Sequence, residues 1–245
     1  MPNIDNKQEI SELLNNFLMS LPLPGHQITS IDVEKGQLSK QILLSRQLES
    51  VPILLDRLSD PDFVVKDACY DLILEMGSSA TGTLIGELGK RGPIMDIWIA
   101  TMLKFLGNLS AMDQLWQQLE HPDEHVRHLT ALALAFQDLD APKWPDKLYP
   151  VLIDALKSER SIEGTPFTVA GSALGCLIHM SGENFLSTPQ EIVFYNYEHF
   201  VYPPPLHPFP FAADHFSKVG KEEQQDIRQR VEAWWSRQLT SAASE

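Results

Sequence analysis

The sequence predicts an all-α fold, an α-solenoid of helical hairpins closed by an irregular aromatic and proline-rich C-terminal segment. Three observations predict it. A unit of about thirty residues, an apolar helix, a turn and a second apolar helix, recurs across residues 50–182. Leu58, Leu88, Leu119 and Leu156 close the successive first helices at spacings of 30, 31 and 37. Asp62, Gly92, Asp123 and Thr165 are expected to cap the second helices at spacings of 30, 31 and 42.

The elements follow in order. Ile10, Leu13, Leu14, Phe17 and Leu18 mark one apolar helical face, ended by Pro22 and Pro24-Gly25. A second helix over about Asp32 to Gln47 is expected to bury Leu38, Ile42 and Leu43. Residues 1–48 thus form a divergent N-terminal cap, which an array needs to close its exposed end. Four repeats occupy residues 49–182. The clearest runs from Val51 to Gly77: Asp60-Pro61 breaks the chain, and the Asp62 carboxylate accepts from the unpaired amides of the next helix. That helix is expected to bury Val65, Ala68, Cys69, Leu72 and Met76. Pro93 and Pro166 follow their caps and suit the first helical position, where no amide donor is needed. Gly77 and Gly107 suit left-handed helix ends. The fourth copy carries a longer loop, KSERSIEGT.

Residues 183–245 form a C-terminal extension. Thr188-Pro189-Gln190-Glu191 reads as a capping box, and YPPPLHPFPF, Tyr202 to Phe211, must run extended. A last helix over about Lys221 to Gln238 begins with Glu222 and Glu223, favoured by the helix dipole. It is expected to bury Ile227, Val231, Trp234 and Trp235, although adjacent tryptophans about 100° apart cannot both face inward.

The segments SDPDFVVKDA and HPDEHVRHLT resemble the turn and second-helix start of HEAT repeats. They are similar to the short variety of bilin-lyase-like and other bacterial HEAT proteins, which read roughly D-P-D-x-x-V-R. The matching residues are Asp60, Pro61, Asp62, Val65 and Lys66 in one copy, and His121, Pro122, Asp123, Val126 and Arg127 in the other. The resemblance covers about half the chain and implies a right-handed α-solenoid. It is specific for fold rather than function, since HEAT arrays serve as scaffolds, adaptors and occasionally enzymes.

Composition narrows the function. A formal charge of −14 opposes the counterion release on which nucleic-acid affinity rests, and disfavours anionic membranes. The N-terminus lacks a basic start and apolar run, and no apolar stretch approaches a membrane span, so a reducing cytoplasm is the expected compartment. Cys69 and Cys176 are too far apart for a zinc pair and too few for a disulfide scaffold; both align with apolar positions and are expected as buried thiols.

No catalytic signature survives inspection. GELGK, Gly86 to Lys90, ends like a phosphate loop but lacks the upstream glycine and the following hydroxyl residue. In Gly171-Ser172-Ala173-Leu174-Gly175 the serine stands one place early for a nucleophile elbow, and the small residues suit close helix packing. His125 and His128 lie three apart on one helical face, a zinc-compatible spacing, with His121, Asp123 and Glu124 nearby. No third fixed ligand is visible, so no metal or other cofactor is assigned, and a solvated turn with one groove-facing histidine is expected. His199, His207 and His215 are spaced for surface placement. Trp98 and Trp116 are expected between layers. Asp67 and Asp71, four apart, are expected on a solvated acidic face rather than as an acid–base pair.

In a HEAT solenoid the second helices line the concave face. The expected partner-binding residues are Asp67, Tyr70 and Asp71 in the first clear copy, Ala100, Thr101 and Lys104 in the next, and His128, Leu132 and Ala135 in the third. Residues 51–200 carry −11 of the net −14. The expectation is a non-enzymatic protein–protein interaction module, an adaptor, assembly factor or inhibitor or immunity-type binder. Its partner would be a protein with a basic or amphipathic segment, not nucleic acid or membrane. The alternative, suggested by the repeat variety alone, is a bilin lyase-like enzyme acting on a tetrapyrrole and its acceptor protein. A HEAT-like DNA glycosylase ranks last, because its cleft would have to be cationic.

Overall fold

The structure, a computed structural model, describes residues 4–21, 29–137, 147–162, 168–186, 216 and 218–242. Among these the chain is helical, with no strand and one isolated bridge between Ser161 and Thr168. Thr165, Pro166, the Thr188–Glu191 capping box, Tyr202–Phe211, His199, His207 and His215 lie outside the described residues. The chain divides into two compact units, Met1–Met112 and Asp113–Glu245. The division falls inside the expected 49–182 repeat block.

In the first unit, α1 (Ile4–Leu18) and α2 (Ser30–Ser45) pack as an antiparallel pair. Ile10, Leu14, Phe17 and Leu18 are buried as the periodicity required. Thr29 and Asp32 form a reciprocal capping box at the start of α2, the Thr29 side chain accepting from the Asp32 amide and the Asp32 carboxylate accepting from the Thr29 amide. The inward face of α2 differs from expectation. Gly36, Ser39 and Leu43 are buried, whereas Leu38 is 61% exposed. The cause is close approach to the α1 end: a Cβ added at Gly36 would stand 2.2 Å from the Ser20 Cβ. Small residues, not the most apolar ones, therefore face inward.

Two hairpins complete this unit. The first is α3 (Gln47–Arg57) with α4 (Phe63–Glu75); a 3-10 turn over Gly77–Ala80 leads to the second, α5 (Thr81–Glu87) with α6 (Pro93–Phe105). α3 packs on α5 and α4 on α6, so each hairpin lies against its sequence neighbour. The side chain of Arg91 ties them, donating to the Pro52 carbonyl at 3.0 Å and pairing with Asp56. In the second unit α7 (Met112–Gln118) and α8 (Glu124–Gln137) precede α9 (Leu148–Ala155) and α10 (Val169–Ser181), and α8 packs on both α9 and α10. The last helix, α11 (Lys221–Ala242), packs on α9. Ile227, Val231 and Trp234 are buried; Trp235, on the adjacent face, is half-buried and stacks on Tyr149 at 4.9 Å.

The repeat landmarks perform one job in successive copies. Leu58, Leu88 and Leu156 are the C-cap residues of α3, α5 and α9, and Leu119 directly follows α7. At the turns, Asp62 donates its amide to the Asp60 carboxylate, and the Asp62 carboxylate accepts from the Val64 amide. Two copies on, Asp123 donates its amide to His121 Nδ1, and Asp123 accepts from the His125 amide. His121 thus replaces Asp60 as acceptor in an otherwise unchanged turn. Gly92 caps α6 at φ 91°, with Pro93 at the first position. The fourth cap is a correction. It is Thr168, three residues later than Thr165, and its hydroxyl accepts from the Gly171 amide at 3.1 Å. The Val169 amide donates to the Arg160 carbonyl at 3.0 Å.

The second helices are apolar around most of their circumference. From Val169 to Ile178 every residue of α10 is buried, as is every residue from Val126 to Ala135 of α8 except half-buried Arg127. A helix of that kind must be covered on all sides. Leu58→Ala and Leu156→Ala, at fully enclosed sites, are each expected to cost about 2–5 kcal/mol in urea unfolding. Half-buried Leu88→Ala should cost clearly less; equal losses at all three would contradict the burial pattern. Gly36→Ala is expected to lose about 1–3 kcal/mol through overpacking, partly restored by Ser20→Gly.

Candidate functional site

The nine expected binding residues separate into two groups. Asp67, Asp71 and Lys104 are partly exposed. Tyr70, Thr101, His128 and Leu132 are 2%, 0%, 1% and 0% exposed and line no open face. Ala100 and Ala135 are buried as well. The physical reason is the all-round apolar character of the second helices: positions left over from one apolar stripe fall against another neighbouring helix. The Thr101 hydroxyl donates to the Ile97 carbonyl at 2.8 Å, an internal helix bond rather than a presented group.

What remains in the first unit is a ridge on α4. Asp67 and Asp71 are one turn apart and half-buried, so each carboxylate has lost part of its water. Burial pushes the Asp67 carboxyl up to about 7, with the Asp71 charge adding to it. Burial also pushes Asp71 up to about 6; Lys40 pulls it down and Glu75 pushes it up. The solvated acidic face expected for this pair is thus corrected, because α2 and α6 lie against α4 and exclude water from its flank. Lys40 is held by Glu75 at 2.6 Å. Among the described residues the Asp67 carboxylate has neither ion pair nor hydrogen bond.

Tyr70 stands between these carboxylates in sequence but points into the interior. Its ring meets Trp98 of α6 edge-on at 5.8 Å, and its hydroxyl has no hydrogen-bond partner among the described residues. Desolvation raises its phenol well above the ordinary range, so it stays neutral. Trp98 is itself half-buried. The two thiols are buried and unpaired, as expected; burial pushes Cys69 up to about 12 and Cys176 up as well, which removes thiolate nucleophiles.

The second unit brings together groups that the sequence separated. His128 Nε2 lies 3.2 Å from Asp154 Oδ2, and Nδ1 lies 4.0 Å from Glu124 Oε1. One donor atom from each of the three residues falls within 4.8 Å of the other two. His121 and His125 are not in this group: His121 is spent on the turn. The third donor, Asp154, comes from α9, 26 residues away, and no local spacing pattern could have revealed it.

No protein-family model matches the chain, and neither does any curated protein or any solved structure. Among the described residues no helix is long and apolar enough to cross a membrane.

The raised Asp67 pKa has a signed consequence for stability. A carboxyl that holds its proton more tightly when folded contributes most below its ordinary value of 3.8, and that contribution is lost as pH rises through about 7. Asp67→Asn, neutral throughout, is therefore expected to be more stable than the parent near pH 8. The gain is about 1–2 kcal/mol once solvent screening at a half-open site is allowed for. It should shrink as pH falls toward about 5 in paired urea titrations. A pH-independent difference would show that Asp67 is not desolvated.

Proposed function

We propose that the chain is a non-enzymatic interaction module, a right-handed HEAT-like α-solenoid that docks a Lys- or Arg-bearing segment of another protein on the Asp67–Asp71 ridge. The solenoid reading draws on the recurrent turn chemistry at Asp62 and Asp123 and on hairpins packed against their sequence neighbours within each unit. The docking reading draws on one observation: a half-desolvated carboxylate pair in which Lys40 is committed to Glu75 and Asp67 has no ion pair among the described residues. An incoming guanidinium or ammonium would relieve the like-charge repulsion and favour the ionised carboxylates. Trp98, half-buried beside Tyr70, adds an aromatic surface suited to the same cation. The net charge of −14 steers basic partners toward the chain from a distance. Adaptor, assembly and inhibitory roles share this recognition chemistry. The bilin lyase-like alternative has the repeat resemblance behind it and no residue of its own; an absorbance shift on mixing with a free bilin would favour it.

The docking reading is tested with a short Lys/Arg-rich peptide and its acidic counterpart. Binding of the basic peptide is expected to tighten as pH rises through about 6 to 7, where the pair ionises. Asp67→Asn with Asp71→Asn should weaken it by about fivefold or more, on the order of 1 kcal/mol. Glu232→Gln, at an exposed position on α11, should leave it unchanged. Equal losses from both changes would reduce the effect to general charge and remove the ridge as a docking site.

A further inference from the structure

We propose that Glu124, His128 and Asp154 form a binding site for a divalent transition metal, Zn2+ foremost, between α8 and α9. The proposal goes beyond the docking ridge and shares no residue with it. Three features carry it. The His128 side chain is 1% exposed, so its ring is fixed by packing rather than free to rotate in water. An ion takes one nitrogen of the ring: Nε2 lies 3.2 Å from Asp154, and Nδ1, 4.0 Å from Glu124, has no hydrogen-bond partner among the described residues. The carboxylates are 64% and 47% exposed at the side chain, which gives a cation an entry path.

The distances suit an ion. Donors around a metal with bonds near 2.1 Å lie about 3.0–3.4 Å apart, and His128 Nε2 to Asp154 Oδ2 is 3.2 Å. Glu124, one helical turn before His128 and mostly in solvent, has the freedom to close the remaining gap by a rotamer change. Charge points the same way. Two carboxylates converge on one imidazole, and the one cation paired with either among the described residues is Lys157, 3.6 Å from Asp154 Oδ1 and 59% exposed. A divalent ion would balance the pair, and Lys157 can swing into water. One nitrogen with two carboxylate oxygens is a borderline donor set that suits Zn2+ or Co2+. Ca2+ and Mg2+ would require more oxygens. Three protein donors leave a fourth position for water or a donor from a partner.

The test uses the full chain after treatment with a chelator. Titration with Zn2+, followed by heat and by thermal unfolding, is expected to show one equivalent taken up and a rise in Tm. Co2+ at the same site should give the visible absorption of a low-symmetry, four- or five-coordinate ion. Glu124→Gln and Asp154→Asn, both at partly exposed side chains, should each weaken uptake by about tenfold or more while leaving the apo protein folded. His121→Ala with His125→Ala should leave it unchanged. His128→Ala is the less informative variant, because an emptied buried site can unfold the chain on its own account. The proposal is overturned if neither ion raises Tm or binds at one equivalent, or if uptake persists undiminished in the Glu124→Gln/Asp154→Asn double variant. Either result leaves His128 and Asp154 as an ordinary internal hydrogen bond.

Discussion

The second helix of each hairpin is apolar around most of its circumference, and that constraint organises the rest of the molecule. Water cannot be tolerated along α8 or α10, and in the second unit α8, α9 and α10 pack on one another. The short first helices meet this demand by turning inward at their ends, where Leu58, Leu119 and Leu156 are enclosed. Polar groups carried on such helices then lose water without being chosen for burial. The carboxylates of Asp67 and Asp71, the Tyr70 hydroxyl and the His128 ring have all lost water in this way.

Turn chemistry solves the complementary problem of starting these helices. Unpaired amides at a helix start need acceptors, and the two-residue step from Asp60 to Asp62, repeated as His121 to Asp123, provides them in one local device. Because the device is local, exchanging aspartate for histidine at its first position leaves it intact. Arg127 adds a second clasp, donating to the carbonyls of His121 and Pro122. In the fourth copy the loop is longer, and the cap moves to Thr168.

Electrostatics behaves differently in the two units. On α4 the carboxylates lie one turn apart, Lys40 pairs with Glu75 while acting on Asp71, and desolvation raises both carboxyl pKa values. Around His128 the carboxylates remain largely in solvent and only the imidazole is enclosed. The first arrangement sets two half-desolvated carboxylates one turn apart on a ridge. The second gathers three donors around one point.

Much of the fold was legible from residues 50–182, because caps, helix-ending glycines and apolar spacing are local properties. Leu58, Leu88, Leu119 and Leu156 mark the helix ends, and Gly77 and Gly107 take up the left-handed turns at φ 65° and 76°. The sequence by itself determined the all-α class, the turns at Asp62, Gly92 and Asp123, and the buried thiols. It could not determine which of two apolar stripes meets a neighbour, so Tyr70, Thr101, His128 and Leu132 were expected at a surface and lie inside, while Leu38 was expected inside and lies in water. Nor could it pair Asp154 with His128, which belong to different helices. Burial depth and the meeting of distant side chains depend on how helices stack. Stacking is decided by side-chain volume and close approach, as Gly36 against Ser20 shows, and not by any residue's own preference for water.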